Sequence, residues 1–383
     1  MASRVTPIYD HVCDRRGPYR GRVYEPEADS FLLLDALDLD LLATLGVCAA
    51  GGHRSLLIAE VGVGSGIALA HASLLLSGAA AANGGHGHRE GVVVDGTARV
   101  YDEEEERHPL PLSVVAIAAD INPWALAATQ LTFQRTFQRT AESALTDGAV
   151  PSPPRAPSDD STLSSSFLCP QAGCHVMLEC IRGDLTSHWW QRRASTPMRR
   201  GRGGGWLDVL IFNPPYVPTT DEELHAAQTG GGSLAEGLEP STADWLPAAW
   251  AGGPQGRTLI RRFLWSLPDL LLAPPAASAL PNAGRDGGAK SGGGVCYLVV
   301  YGGRSQREWI AAELRAISAA AATSATRECP DGTTVAAVTT CCSLRLTSII
   351  SRFTGEQLEV VRIEFGPPRS DHADTTRSSS ESM

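Results

Sequence analysis

The order of residues predicts an α/β fold: one domain of alternating strands and helices around a seven-stranded, mostly parallel sheet that ends in an antiparallel hairpin. Three observations predict it. Short apolar runs ending in Gly, Asp or Asn turns alternate with longer apolar or amphipathic stretches. A glycine-rich turn, Gly62-Val63-Gly64-Ser65-Gly66, joins the first such run to a helix-like segment. Near the carboxyl end, SLRLTSIISRF and EQLEVVRIEF flank Thr354-Gly355. Strand–helix alternation is the pattern of a doubly wound sheet, and two runs about a short turn read as a hairpin.

The totals bound the answer. A chain of 383 residues suffices for one large domain, and 39 glycines with 25 prolines point to unstructured insertions. These fall near 83–111, 141–173, 191–205 and 273–294, inside a single domain of residues 1–366; residues 367–383 read as a disordered polar tail. The net charge of -10 argues against a duplex-DNA binder that relies on phosphate contacts. No stretch reaches the ~18 apolar residues of a membrane span, and the amino terminus lacks an apolar signal core. Nine cysteines without regular spacing suit a reducing compartment, the cytosol or the nucleus.

Residues 1–26 are polar, and Pro26, Asp29 and Ser30 then supply helix-start signals before FLLLDALDLDLLATL, a leucine-rich core helix. The first strand, SLLIAEV over 55–61, runs into the glycine turn and the helix IALAHASLLLSG. Gly62, Gly64 and Gly66 let the backbone turn tightly and approach a ligand. Because Glu60 precedes them, the form is E-x-G-x-G-x-G, the S-adenosylmethionine pattern. A carboxylate there would repel a pyrophosphate but suits an ammonium group; an ordinary structural turn is the competing reading.

The insertion 83–111 carries His86 and His88, readable as metal ligands or as part of a solvated loop, and then an acidic run. SVVAIAA over 113–119 is the second strand, ending in Asp120-Ile121-Asn122-Pro123, where an acid can bind ribose hydroxyls. Cys169, Cys174 and His175 invite a zinc reading, but no second ligand pair matches their spacing. HVMLECIR is the next strand, leading to Gly183-Asp184-Leu185; Asp184 could accept from an adenine amino group or be a turn residue. Five arginines among glycines over 191–205 read as an RNA contact or as a disordered loop.

The stretch LDVLIF is a strand buried on both faces, stopped by Asn213-Pro214-Pro215-Tyr216 because neither proline can donate to a ladder. Asn213 is thereby held at the carboxyl end of a central strand, where open α/β sheets bind ligands. The tetrapeptide resembles the catalytic one of S-adenosylmethionine-dependent methyltransferases that act on a planar amide or amino nitrogen; an ordinary Asn-Pro turn is the competing reading. An amide or exocyclic amino group is a poor nucleophile, its lone pair being delocalised. Two acceptors on its hydrogens, the Asn213 oxygen and a main-chain carbonyl of the proline pair, would orient it and enrich its nitrogen. Tyr216 would add an aromatic face. Residues 218–248 read as a long acidic loop over the site, followed by the amphipathic helix GRTLIRRFLWSLPDLLL, the strand VCYLVVYG, the helix REWIAAELRAI and the hairpin.

Several segments resemble the eukaryotic HemK-like methyltransferases that modify the glutamine of the Gly-Gly-Gln loop in class I translation termination factors. The matching stretches are VYEPEADSFLLLDAL, AEVGVGSG, ADINPWA, GDL, LDVLIFNPPYVPT, AAWAGGPQGRTLIRRFLWSLPDLL and ISRFTGEQLEVVRIEF. The family's Glu-Pro-Ala-Glu-Asp-Thr stands here as Glu25-Pro26-Glu27-Ala28-Asp29-Ser30, which leaves the roles of its acids open. The resemblance implies a Rossmann-like class I fold and methyl transfer from S-adenosyl-L-methionine to a protein glutamine amide. It implies Asn213, Pro214, Pro215 and Tyr216 as catalytic residues. Cofactor contacts are implied at Ser30, Glu60, Gly62, Gly64, Gly66, Asp120, Asn122, Asp184, Leu185 and Asn213, with no resident metal. It also implies a heterodimer with a small zinc-binding activator subunit, expected on an apolar edge at the strand 114–119 and its neighbours. Lysine or arsenical methylation, adenine methylation on nucleic acid, and a silent cofactor-binding scaffold are the rival readings.

Overall fold

The computed structural model describes residues 6–45, 55–84, 113–142, 163–169, 174–187, 206–230, 244–271, 293–323, 326–328, 334–336 and 343–366. After a short α1 (Asp10–Cys13) come α2 (Ala28–Leu45), β1 (Ser55–Val61), α3 (Ile67–Gly84), β2 (Ser113–Asp120) and α4 (Pro123–Glu142). Then follow β3 (Leu163–Cys169), β4 (Cys174–Arg182), β5 (Val209–Phe212), α5 (Asp221–Gln228), α6 (Thr258–Leu270), β6 (Val295–Tyr301) and α7 (Gly303–Thr323). A small pair, β7 (Thr326–Glu328) and β8 (Thr334–Ala336), precedes the hairpin β9 (Ser343–Phe353) and β10 (Gln357–Gly366).

The main sheet runs in the order β3-β4-β2-β1-β5-β6-β10-β9. Its centre, β4 to β6, is parallel, and β3, β10 and β9 are antiparallel to their neighbours. The runs of β1, β2, β5 and β6 are mostly apolar because both faces are covered, whereas β4 alternates buried and exposed residues. Period-two alternation sorts their side chains. Ile58, Val114, Val209 and Tyr297 face α2, α3 and α4, whereas Ala59, Ile117, Phe212 and Leu298 face α6 and α7. Asp208, the one acid in the β5 run, is buried and fixes register: its Oδ2 accepts from Leu57 N at 2.9 Å, while its own N–H bonds to Leu57 O.

Two contacts hold the frame around the site. Phe212, the last residue of β5, packs its ring 4.4 Å from that of Phe263 on α6. Full burial of each such side chain contributes roughly 1.5–3 kcal/mol. On the other face Asp40 of α2 accepts from Arg362 Nη1 of β10 at 2.6 and 2.8 Å and from the Tyr297 hydroxyl of β6 at 2.7 Å. The α2 helix is buried along its leucines, as its composition predicts, except at Leu39 and Leu42.

Four departures from the expectations are physical. The described sheet has an eighth strand, β3, inside the segment read as a low-complexity insertion over 141–173. The sequence LSSSFLC pairs with β4 through its backbone, which a serine-rich run can do at a sheet edge. The β2 strand lies between β1 and β4, so residues 114–119 are not an edge; the open edge on that side is β3. Within the segment read as the loop 218–248, α5 forms behind a capping box in which Thr220 Oγ1 accepts from Glu223 N and the Glu223 carboxylate accepts from Thr220 N. The helix α3 extends to Gly84, into the start of the insertion placed at 83–111.

His86, His88, the arginines of 191–205 and the tail 367–383 lie outside the described residues. Cys169 and Cys174 are backbone register partners on β3 and β4, and among the described residues no three His, Cys, Asp or Glu side chains could hold a metal ion. None of the described helices is long and apolar enough to cross a membrane.

Candidate active site

The carboxyl ends of β1, β2, β4 and β5 open into one cleft, at the point where strand order reverses about β1. Of the predicted cofactor residues, Ser30, Glu60, Gly62, Gly64, Asp120, Asn122, Asp184, Leu185 and Asn213 line it; Gly66 stands behind. Gly62, Gly64 and Gly66 all have positive φ, at 62°, 53° and 76°. At Gly66 the need is also steric, since a Cβ there would sit 2.7 Å from the Thr129 side chain. The α4 helix braces the turn further through Thr132 Oγ1, which donates to Ser65 O at 2.6 Å.

Two of the cleft's acids, Glu60 and Asp120, bind main chain. Glu60, buried, accepts from Leu69 N at 2.9 Å in the first turn of α3. Asp120 accepts from Gly64 N at 3.0 Å through one oxygen and from Asn122 N at 2.8 Å through the other. Burial pushes the Glu60 carboxyl well above its ordinary range, with the neighbouring Asp120 adding to the shift. Burial likewise raises Asp120 to about 6, against the opposing effect of its backbone donors. Each carboxylate oxygen retains lone-pair capacity for a ligand hydroxyl or ammonium. Asn122 is more committed. Its Nδ2 donates to Arg22 O at 2.7 Å and its Oδ1 accepts from Trp124 N at 3.0 Å, capping α4 ahead of Pro123. Its side chain therefore holds the amino-terminal segment and α4 in place, and it reaches the cleft as part of the turn.

At Asn213 the geometry is sharper. Its Nδ2 donates to Asp29 Oδ2 at 3.1 Å, and the Tyr216 hydroxyl donates to the same oxygen at 3.3 Å. The other Asp29 oxygen accepts from Ser30 N at 2.7 Å. An ionised Asp29 can only accept, so it fixes which end of the Asn213 amide faces it. The Asn213 oxygen is left buried with no partner, on a residue that lines the cleft. Tyr216 stacks on Tyr301 with ring centroids 4.8 Å apart and planes at 11°, and burial beside Asp29 keeps its phenol protonated. Pro215 lines the cleft, whereas Pro214 is buried beside it.

The segment after the tetrapeptide is clamped by the AWAGG stretch. Val217 N bonds to Trp250 O, Gly252 N to Val217 O, and Thr219 N to Gly253 O, at 2.9 to 3.1 Å. A Cβ at Gly252 would lie 2.6 Å from Pro215 O, and one at Gly256 would collide with Tyr216 O. Across the cleft Asp184 is held by Arg262 of α6 at 2.7 Å, and Leu185 takes a left-handed φ of 49°. The reading of sequence missed Asp29, Arg262 and Trp245 as site residues. Asp29 had been noted as a helix-start signal and as one of the Glu25–Ser30 acids whose roles were left open, and nothing local to it points to Asn213. For the glycines the signal was present in the quoted AWAGG and GR.

No model of a known protein family matches the chain. It is 28% identical over 268 residues to the methyltransferase HEMK2 of Mus musculus, across 70% of this chain and 73% of that protein. It is 40% identical over 70 residues to mtq2, the eRF1 methyltransferase catalytic subunit of Schizosaccharomyces pombe, covering 18% and 24% of the two chains. A putative protein N5-glutamine methyltransferase of Methanocaldococcus jannaschii is 33% identical over 67 residues, 18% and 25% of the two. A glycine turn beside an orphaned amide oxygen would by itself suit several group transfers. Similar over most of its length to one methyltransferase, and over a shorter stretch to two more, the chain is an enzyme, a methyltransferase that resembles the HemK-like proteins.

Proposed function

We propose that the chain methylates the side-chain amide nitrogen of the glutamine in the Gly-Gly-Gln motif of a class I translation termination factor, using S-adenosyl-L-methionine. The observation that carries this reading is the buried, unpartnered Asn213 oxygen, oriented by Asp29 at 3.1 Å. A buried acceptor without a donor is costly, by ~1–3 kcal/mol, and a primary amide brings the N–H that relieves it. The second acceptor would be a main-chain carbonyl of the proline pair. Pro215 O is turned toward Gly252, which leaves that of Pro214. With both hydrogens held, the amide lone pair is directed and enriched, and positioning of this kind can lower the barrier by ~7–11 kcal/mol.

The cleft fits the methyl donor. Its glycine turn admits a ligand against the backbone, Asp120 suits ribose hydroxyls, Glu60 suits an ammonium group and Asp184 an amino group on a purine. The donor supplies an electrophilic methyl on a sulfonium. The protein binds, aligns the amide and excludes water; the amide nitrogen sheds one proton as it gains the methyl. In the same reading the catalytic chain works as a heterodimer with a small zinc-binding subunit, in the cytosol and also the nucleus.

The test is mass spectrometry of methyl transfer from the full chain, co-expressed with that subunit, onto a termination-factor domain bearing Gly-Gly-Gln. Duplex DNA and a histone-tail peptide run in parallel. One added methyl on that glutamine, abolished by Asn213→Ala with cofactor binding retained, is the expected result. Label on DNA adenine or lysine alone would overturn the substrate assignment, and no label anywhere would favour a silent scaffold.

A further inference from the structure

Two buried polar atoms that lack a partner belong to residues lining the same cleft: the Asn213 oxygen and the indole Nε1 of Trp245. One is an acceptor and the other can only donate. Both are buried and unpartnered among the described residues, so a ligand in the cleft that brings the complementary group would satisfy each. The substrate amide answers the first under the function proposed above. The second requires an acceptor.

Its position says which part of a ligand it meets. Trp245 begins a single helical turn, Leu246–Ala249, whose Ala248 and Ala249 also line the cleft. The Arg182 guanidinium lies 5.1 Å from the centre of the Trp245 ring, and Arg182 Nε donates to Ile121 O at 3.2 Å. Arg182 is the register partner of Asp120. Trp245 therefore stands over the ends of β2 and β4, beside Asp120, Ile121 and Asp184, and two strands away from Asn213 on β5. On that side the wall presents the Asp184 carboxylate, an acceptor, and the Trp245 N–H, a donor. The amino edge of adenine has the complementary order, an exocyclic amino donor flanked by ring-nitrogen acceptors; guanine presents a carbonyl there instead.

We propose that Trp245 reads the purine of the cofactor, its indole N–H donating to one of the two ring nitrogens that flank the exocyclic amino group. The proposal rests on the cofactor reading above and makes Trp245 a determinant of adenine specificity, with no part in the methyl transfer itself.

The test is calorimetric binding of S-adenosylhomocysteine and its 1-deaza, 3-deaza and 7-deaza analogues to the full chain and to Trp245→Phe, which keeps the ring and removes the donor. The wild-type chain is expected to bind either the 1-deaza or the 7-deaza analogue about tenfold more weakly than the parent, the worth of one hydrogen bond. The variant is expected to bind the parent about tenfold more weakly and to show no further loss with that same analogue. Its melting temperature serves as the check on folding. Equal wild-type affinity for all three analogues, full parent affinity in Trp245→Phe, or an undiminished analogue penalty in the variant would each overturn the proposal. Failure of the wild-type chain to bind S-adenosylhomocysteine at all would refute the cofactor reading and this proposal with it. Binding without glutamine methylation would refute only the substrate assignment.

Discussion

Asp29→Ala removes the one carboxylate that both Asn213 and Tyr216 touch. Its bonds to Asn213 Nδ2 at 3.1 Å and to the Tyr216 hydroxyl at 3.3 Å are long for charge-assisted contacts, so each is worth about 1.5 kcal/mol, the lower end of the range. Without the first, the Asn213 amide loses its bias toward presenting oxygen to the cleft, about a tenfold change in the competent population. Losing the second as well extends the expected fall in kcat to roughly 10–100-fold. Cofactor affinity should change less than about threefold, because Asp29 is not among the cleft-lining residues. Initial rates with labelled S-adenosylmethionine and the termination-factor domain give kcat, and calorimetry with S-adenosylhomocysteine gives the affinity. Asp29→Asn, which keeps a carbonyl acceptor, should retain part of the rate. A kcat within threefold of wild type, or a loss fully explained by weaker cofactor binding, would refute the orienting role.

Two further outcomes are expected. Ionised Asp120 is the form that accepts ribose hydroxyls, and burial raises its pKa to about 6, so affinity for S-adenosylhomocysteine should fall as pH drops through about 6. Binding then draws the pKa down and releases protons, visible as a buffer-dependent calorimetric enthalpy; Asp120→Asn should weaken binding and flatten this dependence, and a flat wild-type profile would exclude it. Gly252→Ala places a Cβ 2.6 Å from Pro215 O and 2.8 Å from Gly256 Cα, both backbone, so a cost of roughly 1–3 kcal/mol is expected. It should appear as a lower melting temperature and a kcat that falls more than cofactor affinity; unchanged values for both would contradict the clamp.

Much of this was legible in the chain because the signals are local. A buried strand that must stop at two prolines, and a glycine turn between strand and helix, carry their geometry within ten residues of sequence. The α5 helix was also legible, since Thr220 and Glu223 stand at capping-box spacing ahead of Leu224, yet the acidic composition drew the segment into a loop. The β3 strand was not, because Ser164, Ser165 and Ser166 have no intrinsic pull toward a strand and extend only against β4. Nor was the interior place of β2, since strand order is settled by packing across the whole sheet. Asn122 has a second role that its expected cofactor contact did not include: it lines the cleft, and its side chain also caps α4, which Pro123 after it marked. Asp29 and Asn213 stand 184 positions apart, and only the closed fold brings them together.

The Asp40 clasp has a bearing on when the fold can first close. Asp40 sits in the helix whose first turn carries Asp29, and its guanidinium partner comes 322 residues later. During synthesis the glycine turn, the two acids and the tetrapeptide all leave the ribosome while Arg362 is still to be translated. Until β10 slides in beside β6, the carboxylate of Asp40 has no cation to meet, and the amino-terminal helix lacks its tether at the far edge of the sheet. Contacts of such sequence separation form late and slowly. The clasp therefore closes only once β10, the last strand of the sheet, has been made.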